Sequence, residues 1–534
     1  MMPRPDTMSS EDYQYGRQSN VWLIAGVVSV LAVVGLFALL KKQTALPETT
    51  KESLVVYCAA GIRKPVEETA KQYEAEFDVT IRLDYGSSGE MEGKLALDLE
   101  SGTTRADLYI PADKSFADRA KGKGLTRESI PLAKFRLVLA VKPDSTHDFK
   151  SIDGLLESGV DFVVCDELAG VGKKTKKVLT GIGKWEAIHE RKKVSYARVP
   201  EAASAVKTSD SVAAGFLWDS TAKQFGLKIL EMPELNPGRA TITANVTEGT
   251  TKATQALHFA RYLAAPEKGQ PSFKKHHFTP INGDSWADVP EIVAYCGGVN
   301  RNALKDTFAE FEKREGCVVK TTYAGCGTIV GNIEAGEFAM PDAFMTCDVT
   351  YMDMVQKDFL APQDVSSTRV VMLVRKGNPK GINSLKDLTK DGVSVGTTGP
   401  RHSTLGALSW QMFEQVGVKA ELEEKKSVIV TSPTAHELIL KMEGHTKLDV
   451  ALVYEANCQH LTDNFELVHI DLPRARAVQN VAVGKATKFP NLTARLMDTI
   501  LSTQSKERFE GNGFSWEAKD DSKTENAKSE SSGG

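Results

Sequence analysis

Apolar residues follow two periods along the chain, and together these periods predict alternating strands and helices. Leu54–Tyr57 is a short apolar run typical of a strand, and Lys64–Glu76 places apolar residues at helical spacing. Val79–Tyr85 alternates as a strand does, Met91–Leu99 returns to helical spacing, and Leu108–Ile110 is a third short apolar run. This order predicts an α/β fold with right-handed crossover connections.

The whole strand and helix unit occurs twice. The segment SLVVYCAAG at 53–61 matches EIVAYCGGV at 291–299, and LDYGSSGEMEG at 83–93 matches TTYAGCGTIVG at 321–331, both at an offset of 238 residues. Farther along, ADLYIPAD matches PDAFMTCD at an offset of 235, a drift that small loop insertions produce. A period this long predicts a duplicated domain, since solenoid repeats are only about 20–50 residues long.

One stretch before the repeat is not globular in composition. Val21–Leu40 carries no charge and is long enough, as a helix, to cross a bilayer core of about 30 Å. We expect an uncleaved membrane anchor there, and a cleaved signal peptide is the alternative. The flanking positive charges do not decide its orientation. The predicted organisation is an N-terminal segment at 1–20, the anchor at 21–40, a linker at 41–53, copy 1 at 54–286, copy 2 at 287–517 and a disordered tail at 518–534.

Composition and motifs argue against two classes of function. The 534 residues carry a net charge of -4, so the chain lacks the basic excess that neutralises phosphates, and we expect no nucleic-acid partner. GVGKKT at 170–175 lacks the first glycine of a phosphate-binding loop, and HELIL at 436–440 lacks the second histidine of a zinc protease. We therefore expect neither an enzyme nor a cofactor.

The glycine-rich turn after the second strand allows two interpretations. Ser87 and Ser88 precede a predicted helix, and their hydroxyls can cap its first N–H groups. The same turn can instead leave those N–H groups free for an anion, which the helix dipole would also attract. Because ligands of open α/β sheets bind beyond the carboxyl ends of the strands, the turn lies where a ligand is expected.

Taken in order, these segments resemble the periplasmic molybdate-binding proteins of ABC transporters, within the type II solute-binding fold. The similarity is carried by VVYCAAG, the glycine-serine turn, ADLYIPAD, VVCDEL, AGFLW and FKKHHFTPI, with counterparts in copy 2. It implies two tandem bilobed domains, each closing on a small oxyanion such as molybdate or tungstate. It also implies a place outside the cytoplasmic membrane and an ABC permease, or a sensor, as partner.

The resemblance also implies ligand positions in both copies. In copy 1 they fall at Gly61, Ser87, Ser88, Gly172, Lys173, Ser204 and Trp218. In copy 2 they fall at Gly325, Cys326, Ser403, Thr404, Thr434 and Tyr454. Gly61 stands where the family has a serine and Trp218 where it has a tyrosine, so the first pocket should differ in shape.

Five of the seven cysteines lie in the second half of the chain. Cys296, Cys326 and Cys347 end the first three strands of copy 2, and Cys458 follows Tyr454 by four residues. Thiolates favour Cu(I) or Zn(II), so a thiophilic metal-binding or redox domain pair using these four cysteines is the alternative function. A disulfide between Cys326 and Cys347 and a set of small buried apolar side chains are the other interpretations.

Overall fold

The structure, a computed structural model, describes residues 53–103, 105–336, 339–444, 447–459, 461 and 463–518. The predicted anchor at 21–40 and all but the first residue of the predicted tail lie outside this part of the chain. Among the described helices, none has both the length and the apolar character needed to cross a membrane.

Copy 1 alternates strands and helices in the predicted order. Its elements are β1 (Ser53–Ala59), α1 (Arg63–Phe77), β2 (Thr80–Gly86), α2 (Ser88–Glu100), β3 (Leu108–Ile110), α3 (Lys114–Gly122), β4 (Thr126–Val141), α4 (Ile152–Glu157), β5 (Phe162–Cys165), α5 (Gly170–Gly181), α6 (Trp185–Arg191), β6 (Val194–Tyr196), α7 (Val199–Thr208), β7 (Ala214–Trp218), α8 (Asp219–Gln224), β8 (Lys228–Leu230), β9 (Arg239–Thr247), α9 (Ala253–Ala264), α10 (Gly269–Lys275) and β10 (Thr279–Pro280).

Copy 2 repeats this series with small changes in the loops. Its elements are β11 (Glu291–Gly297), α11 (Arg301–Glu315), β12 (Val318–Ala324), α12 (Cys326–Ala335), β13 (Ala343–Met345), α13 (Val349–Val355), β14 (Gln363–Arg375), β15 (Val395–Thr398), α14 (Thr404–Gln415), α15 (Lys419–Glu424), β16 (Val428–Ser432), α16 (Ala435–Gly444), β17 (Val450–Tyr454), β18 (Phe465–His469), β19 (Arg476–Val483), α17 (Pro490–Ile500), α18 (Thr503–Gly511) and β20 (Ser515–Trp516).

The two copies have the same sheet topology. The strand order is β2-β1-β3-β9-β4-β7-β5-β6 in copy 1 and β12-β11-β13-β19-β14-β17-β15-β16 in copy 2. Both sheets are mixed, because β4 and β9 in copy 1, and β14 and β19 in copy 2, run antiparallel to their neighbours.

A single long strand joins the two lobes of each copy. In copy 1 the segment 126–136 of β4 pairs with β9 in the first lobe, and the segment 137–141 pairs with β7 in the second lobe. In copy 2 strand β14 does the same, pairing first with β19 and then with β17. Each copy is therefore bilobed, and the crevice between its lobes lies at the strand ends.

The amphipathic pattern explains how each first lobe buries its first helix. On α1 and on α11 the buried side chains recur at the spacing i, i+4, i+7, which places them on one helical face. They are Val66, Ala70 and Tyr73 in copy 1, and their counterparts 238 residues later, Leu304, Phe308 and Phe311. The same face is used twice because the same pattern is repeated.

A buried group of charged side chains joins the first lobes of the two copies. Glu315 at the end of α11 accepts hydrogen bonds from Arg495 of α17 at 2.6 and 2.9 Å. Arg261, on α9 of copy 1, donates at 2.6 Å to the Glu315 carbonyl and lies 3.5 Å from its carboxylate. Arg314 of copy 2 also pairs with Glu128 of copy 1, at 2.9 Å for Nη2 to Oε2. We call Arg261, Glu315, Arg495, Arg314 and Glu128 the joint.

Candidate functional site

A small cavity in copy 1 lies between the lobes at the ends of β1, β2, β3 and β7. Both lobes contribute to its walls. The lining residues are Ala59, Ala60, Gly61, Gly86, Ser87, Ser88, Ala112, Ala169, Gly170, Val171, Arg198, Val199 and Trp218. Its position agrees with the general location of ligands in open α/β sheets.

The two serines of the turn do different work. The Ser87 hydroxyl accepts a hydrogen bond from the Glu90 N–H at 3.2 Å, and the Ser87 N–H donates to the Glu90 carboxylate at 3.1 Å, which is a capping box. Ser88 is buried, and its hydroxyl accepts from the Ala112 N–H at 3.0 Å. A hydroxyl that accepts one bond still has a hydrogen to donate, so Ser88 can serve a ligand in the cavity. The sequence left capping and binding open for both serines, and the structure shows that Ser87 is the one that caps the helix.

The N-terminus of α5 supplies a second set of donors. Ala169, its N-cap, makes no side-chain capping bond, and Gly170 and Val171 line the cavity. The first N–H groups of a helix have no partner within the helix, and the helix dipole favours an anion beside them. This end of α5 therefore suits an anion held in the cavity.

Two of the predicted residues near α5 lie outside the cavity. A Cβ on Gly172 would come within 2.1 Å of the Asp166 carbonyl oxygen, so this glycine permits the close approach of α5 to the preceding turn. The Lys173 ammonium lies over the Phe116 ring at 4.6 Å. Burial lowers the pKa of Lys173 from its ordinary value, with the nearby Arg119 charge adding to the effect.

The corner formed by α7 differs from the prediction. Ser204 lies on the exposed face of α7, and Arg198 and Val199 are the residues of this corner that line the cavity. Sequence comparison with the family missed Arg198. The available signal was a basic residue just before Pro200, at the start of a helix in the second lobe.

The remaining predicted residues of copy 1 do line the cavity. A Cβ on Gly61 would approach Val199 Cγ1 to 2.8 Å, so a serine would crowd this position. Trp218 at the end of β7 is fully buried, and its indole N–H has no hydrogen-bond partner. An unpaired buried donor is costly, and a ligand in the cavity would satisfy it.

The lobes of copy 1 contact each other across the crevice. The Gly89 N–H donates to the Leu168 carbonyl at 2.8 Å. Lys174 of the second lobe pairs with Asp113 of the first at 2.8 Å, and both side chains are largely buried. The structure therefore shows copy 1 in a closed arrangement.

The corresponding turn of copy 2 carries thiols. The Cys326 sulfur accepts from the Cys347 N–H at 3.0 Å, which repeats the bond from Ala112 to Ser88. Cys326 thus occupies the place of Ser88, and Cys347 that of Ala112. Both thiols are buried and unbonded to any other sulfur.

A glycine makes room for the two sulfurs. A Cβ on Gly297 would lie 2.3 Å from the Cys347 sulfur and 3.0 Å from the Cys326 sulfur. Copy 1 has Ala59 at this position, where the neighbouring side chains are the smaller Ser88 and Ala112. The two sulfurs are therefore close neighbours, and glycine is required beside them.

Three hydroxyl groups surround the thiol pair. Thr404, the first residue of α14, lies beside both sulfurs and Tyr351, and its buried hydroxyl has no hydrogen-bond partner. The Tyr454 hydroxyl is buried without a hydrogen-bond partner and faces Cys326, Cys347 and Tyr351. Burial raises the pKa of Tyr351 to about 12 and that of Tyr454 further, so both hydroxyls remain protonated.

The thiol pair holds its protons unequally. The neighbouring Cys326 thiol and, to a smaller extent, the Val299 N–H lower the pKa of Cys347 against the opposing effect of burial. Burial raises the pKa of Cys326, and the charge of its neighbour adds to this. Of the two thiols, Cys347 therefore has the lower pKa.

The other predicted residues of copy 2 lie at a contact between the lobes and at two helix starts. A Cβ on Gly325 would approach the His402 carbonyl oxygen to 2.2 Å, so glycine is required at this contact between the lobes. Ser403 is the buried N-cap of α14 and makes no side-chain capping bond. Thr434 accepts from the Glu437 N–H at 3.2 Å and so caps α16.

The four cysteines predicted as metal ligands do not come together. Cys458 belongs to a separate apolar cluster and donates to the Tyr454 carbonyl at 3.5 Å, and Cys296 is buried within β11. Within the described part of the chain, no group of three or more His, Cys, Asp or Glu side chains is placed to hold a metal ion. Of these four cysteines, Cys326 and Cys347 are the two that lie side by side at the crevice.

Comparison with known proteins agrees with this duplicated architecture. The model of the bacterial extracellular solute-binding protein family matches residues 54–279 and again 292–515. The molybdate-binding protein ModA of Escherichia coli is 28% identical over 269 residues, covering 48% of this chain and 96% of that protein. The ModA protein of Mycobacterium tuberculosis strain H37Rv is 24% identical over 234 residues, covering 42% of this chain and 84% of that protein.

A solved structure also aligns with part of the chain. The periplasmic molybdate-binding protein of Azotobacter vinelandii aligns at 19% identity with a TM-score of 0.36, covering 43% of this chain and 99% of that chain. The family model covers most of this sequence, once in each copy. The chain belongs to the bacterial extracellular solute-binding protein family and contains the family domain twice in tandem.

Proposed function

We propose that copy 1 captures a small tetrahedral oxyanion, of which molybdate and tungstate are the first candidates. The observation that carries this proposal is that Ser88 and the uncapped N-terminus of α5 face one cavity from opposite lobes. The unpaired indole N–H of Trp218 adds a donor to the same space. The Arg198 side chain adds its buried Nε–H, which has no partner, while its Nη2 pairs with Glu90 at 3.1 Å. The relatives named for molybdate binding support the choice of ligand.

The energetics of such a site are adequate. Each hydrogen bond to a charged ligand contributes about 1.5–3 kcal/mol, and a micromolar dissociation constant corresponds to about -8 kcal/mol. Several such bonds therefore supply enough free energy for micromolar binding after the cost of ordering the lobes is subtracted. The protein binds and releases its ligand without altering it, so it is not an enzyme.

We also propose that the chain is held at the outer face of the cytoplasmic membrane by Val21–Leu40. From there it would deliver its ligand to an ABC permease, or report it to a sensor. The uncharged segment and the family membership support this placement. Protease treatment of intact spheroplasts should digest the chain, and protection of the whole chain would contradict the placement.

Thermal unfolding with a panel of ligands tests the proposed function. The full chain is heated with molybdate, tungstate, sulfate or phosphate, because a ligand that binds the native state raises its stability by RT ln(1 + [L]/Kd). We expect molybdate or tungstate to raise the melting temperature most. A Ser204→Ala chain serves as the matched control and should keep the full shift. No shift with any of the four anions would contradict the proposal.

A further inference from the structure

The second crevice combines two adjacent thiols with hydroxyl groups, and this combination is unsuited to a hard dianion. Copy 1 offers Ser88 where copy 2 has Cys326. Thiols are soft ligands that favour soft or borderline central atoms over the oxygen surface of a molybdate-like ion. The replacement therefore changes the class of ligand while the turn itself is kept.

The charges around the thiol pair also differ from those in copy 1. Thr434 occupies the N-cap position that Arg198 has in copy 1. Asp113 of copy 1 is neutralised by Lys174, but the residue equivalent to Lys174 is Leu408, so Asp348 lacks that lysine. A cleft with this balance favours a neutral ligand over a dianion.

The hydroxyl groups limit the choice further. A bare metal ion would leave the Tyr454 hydroxyl without an acceptor, and the described residues provide no third His, Cys, Asp or Glu ligand beside the pair. A ligand that fits all the groups has a thiophilic central atom and at least one oxygen substituent. A pyramidal, neutral hydroxide of a trivalent metalloid meets both conditions.

We propose that the second crevice binds a trivalent oxyacid of arsenic or antimony through Cys326 and Cys347. Each thiol forms one sulfur–metalloid bond and loses its proton, and two hydroxide groups leave with those protons as two molecules of water. The metalloid stays trivalent, so no oxidant or reductant takes part. The third hydroxide remains and hydrogen-bonds with Tyr454 and Thr404. The inference goes beyond the proposed oxyanion capture by copy 1 and does not depend on it.

Copy 1 shows which side chains the turn of copy 2 can accept in the test variants. Cys326→Ser and Cys347→Ala introduce the residues that copy 1 carries at the same two positions, beside the larger Ala59. Both variants are therefore expected to fold. Cys458→Ser is the control, since Cys458 lies in a different apolar cluster.

The experiment titrates the full chain, reduced with a phosphine, with arsenite and measures the product by native mass spectrometry. We expect one arsenic atom per chain in the parent protein and in Cys458→Ser. We expect complete loss of uptake in Cys326→Ser and in Cys347→Ala. X-ray absorption at the arsenic edge of the loaded parent protein should show two sulfur neighbours and one oxygen, and this readout needs no variant.

Several results would overturn the proposal. These are no arsenic uptake by the folded and reduced parent chain, uptake unchanged in both cysteine variants, or an arsenic atom with three sulfur neighbours. Zn(II) or Cu(I) bound one per chain under conditions in which arsenite is not bound would also overturn it. Because molybdate binding by copy 1 is measured separately, failure of either proposal leaves the other open to its own test.

Discussion

The two crevices share one backbone design but offer different chemistry. In each copy the residue that starts the helix after the second strand accepts a hydrogen bond at 3.0 Å from the backbone N–H that follows the third strand. The acceptor is the Ser88 oxygen in copy 1 and the Cys326 sulfur in copy 2. After duplication, a few side chains can therefore change the ligand class while the turn is retained.

The change of side chains is coordinated. Cys347 replaces a residue as small as Ala112, and the larger sulfur fits because Gly297 stands where copy 1 has Ala59. The cations differ as well, since Lys174 closes copy 1 onto Asp113 and Leu408 cannot do the same in copy 2. The cleft of copy 2 therefore differs from that of copy 1 both in side-chain size and in charge.

The largest expected effect is a loss of stability at the joint, to which both copies contribute residues. Glu315→Gln removes the charge that two buried arginines require, and we expect a loss of about 3–5 kcal/mol in the free energy of unfolding. The matched control is Glu291→Gln, whose partner Lys320 is exposed, and its cost should stay below about 1 kcal/mol. Urea unfolding of the full chain measures both. Equal costs would show that the joint does not hold the copies together.

The second prediction compares the corner of copy 1 that is proposed to bind the anion with the same corner of copy 2. Arg198→Ala should weaken molybdate binding by about 1.5 kcal/mol, or roughly tenfold, because a charged donor is lost from the cavity. Thr434→Ala changes the same corner of copy 2 and should leave molybdate affinity unaltered. Calorimetric titration compares the two variants. Equal weakening by both would remove the distinction between the crevices.

A smaller effect distinguishes neighbouring serines within one turn. Ser88→Ala should weaken molybdate binding by about 1 kcal/mol, and it should also lower the free energy of unfolding by about 1–2 kcal/mol because the buried Ala112 N–H loses its acceptor. Ser87→Ala should lower the free energy of unfolding by about 1 kcal/mol, because the capping box is lost, and should leave molybdate binding unaltered. The two variants are compared by titration and by urea unfolding. An unchanged affinity in Ser88→Ala would return that serine to a structural role.

The smallest effect is a pH dependence of the joint. Burial is the largest single influence on the Glu128 carboxyl, and by itself it would raise the pKa. The hydrogen bond and the charge of Arg314 act in the opposite direction, and the net result is a pKa of Glu128 below its ordinary value. A lowered folded-state pKa gives stability that is present above the ordinary carboxyl range and is lost as pH falls through the folded value. Glu128→Gln should therefore lose part of the acid dependence of unfolding measured from neutral to acidic pH. An identical pH profile in the variant would contradict this.

Much of the fold could be predicted from the sequence, because the apolar spacing is repeated with few insertions. Val66, Ala70 and Tyr73 reappear as Leu304, Phe308 and Phe311 on the same helical face. The antiparallel strands β9 and β19 could not be placed this way, since a periodic pattern gives the presence of a strand and not its direction.

The site could be predicted only where a turn fixes the position of a side chain. Ser88 and Trp218 line the cavity because they lie at or next to strand ends. Ser204 lies on the exposed face of its helix, and the place of Arg198 beside the cavity depends on packing between the lobes, which local sequence does not contain. The pairing of Gly297 with Cys347 depends on distances between strands that local sequence does not contain.

The most direct test of the account is the stoichiometry of molybdate binding to the full chain by isothermal titration calorimetry. We predict one site per chain, weakened in Arg198→Ala and unchanged in the Cys326→Ser and Cys347→Ala double variant. Two equivalent sites in the parent chain, or one site that is lost in the cysteine variant, would contradict the claim that the two crevices bind different classes of ligand.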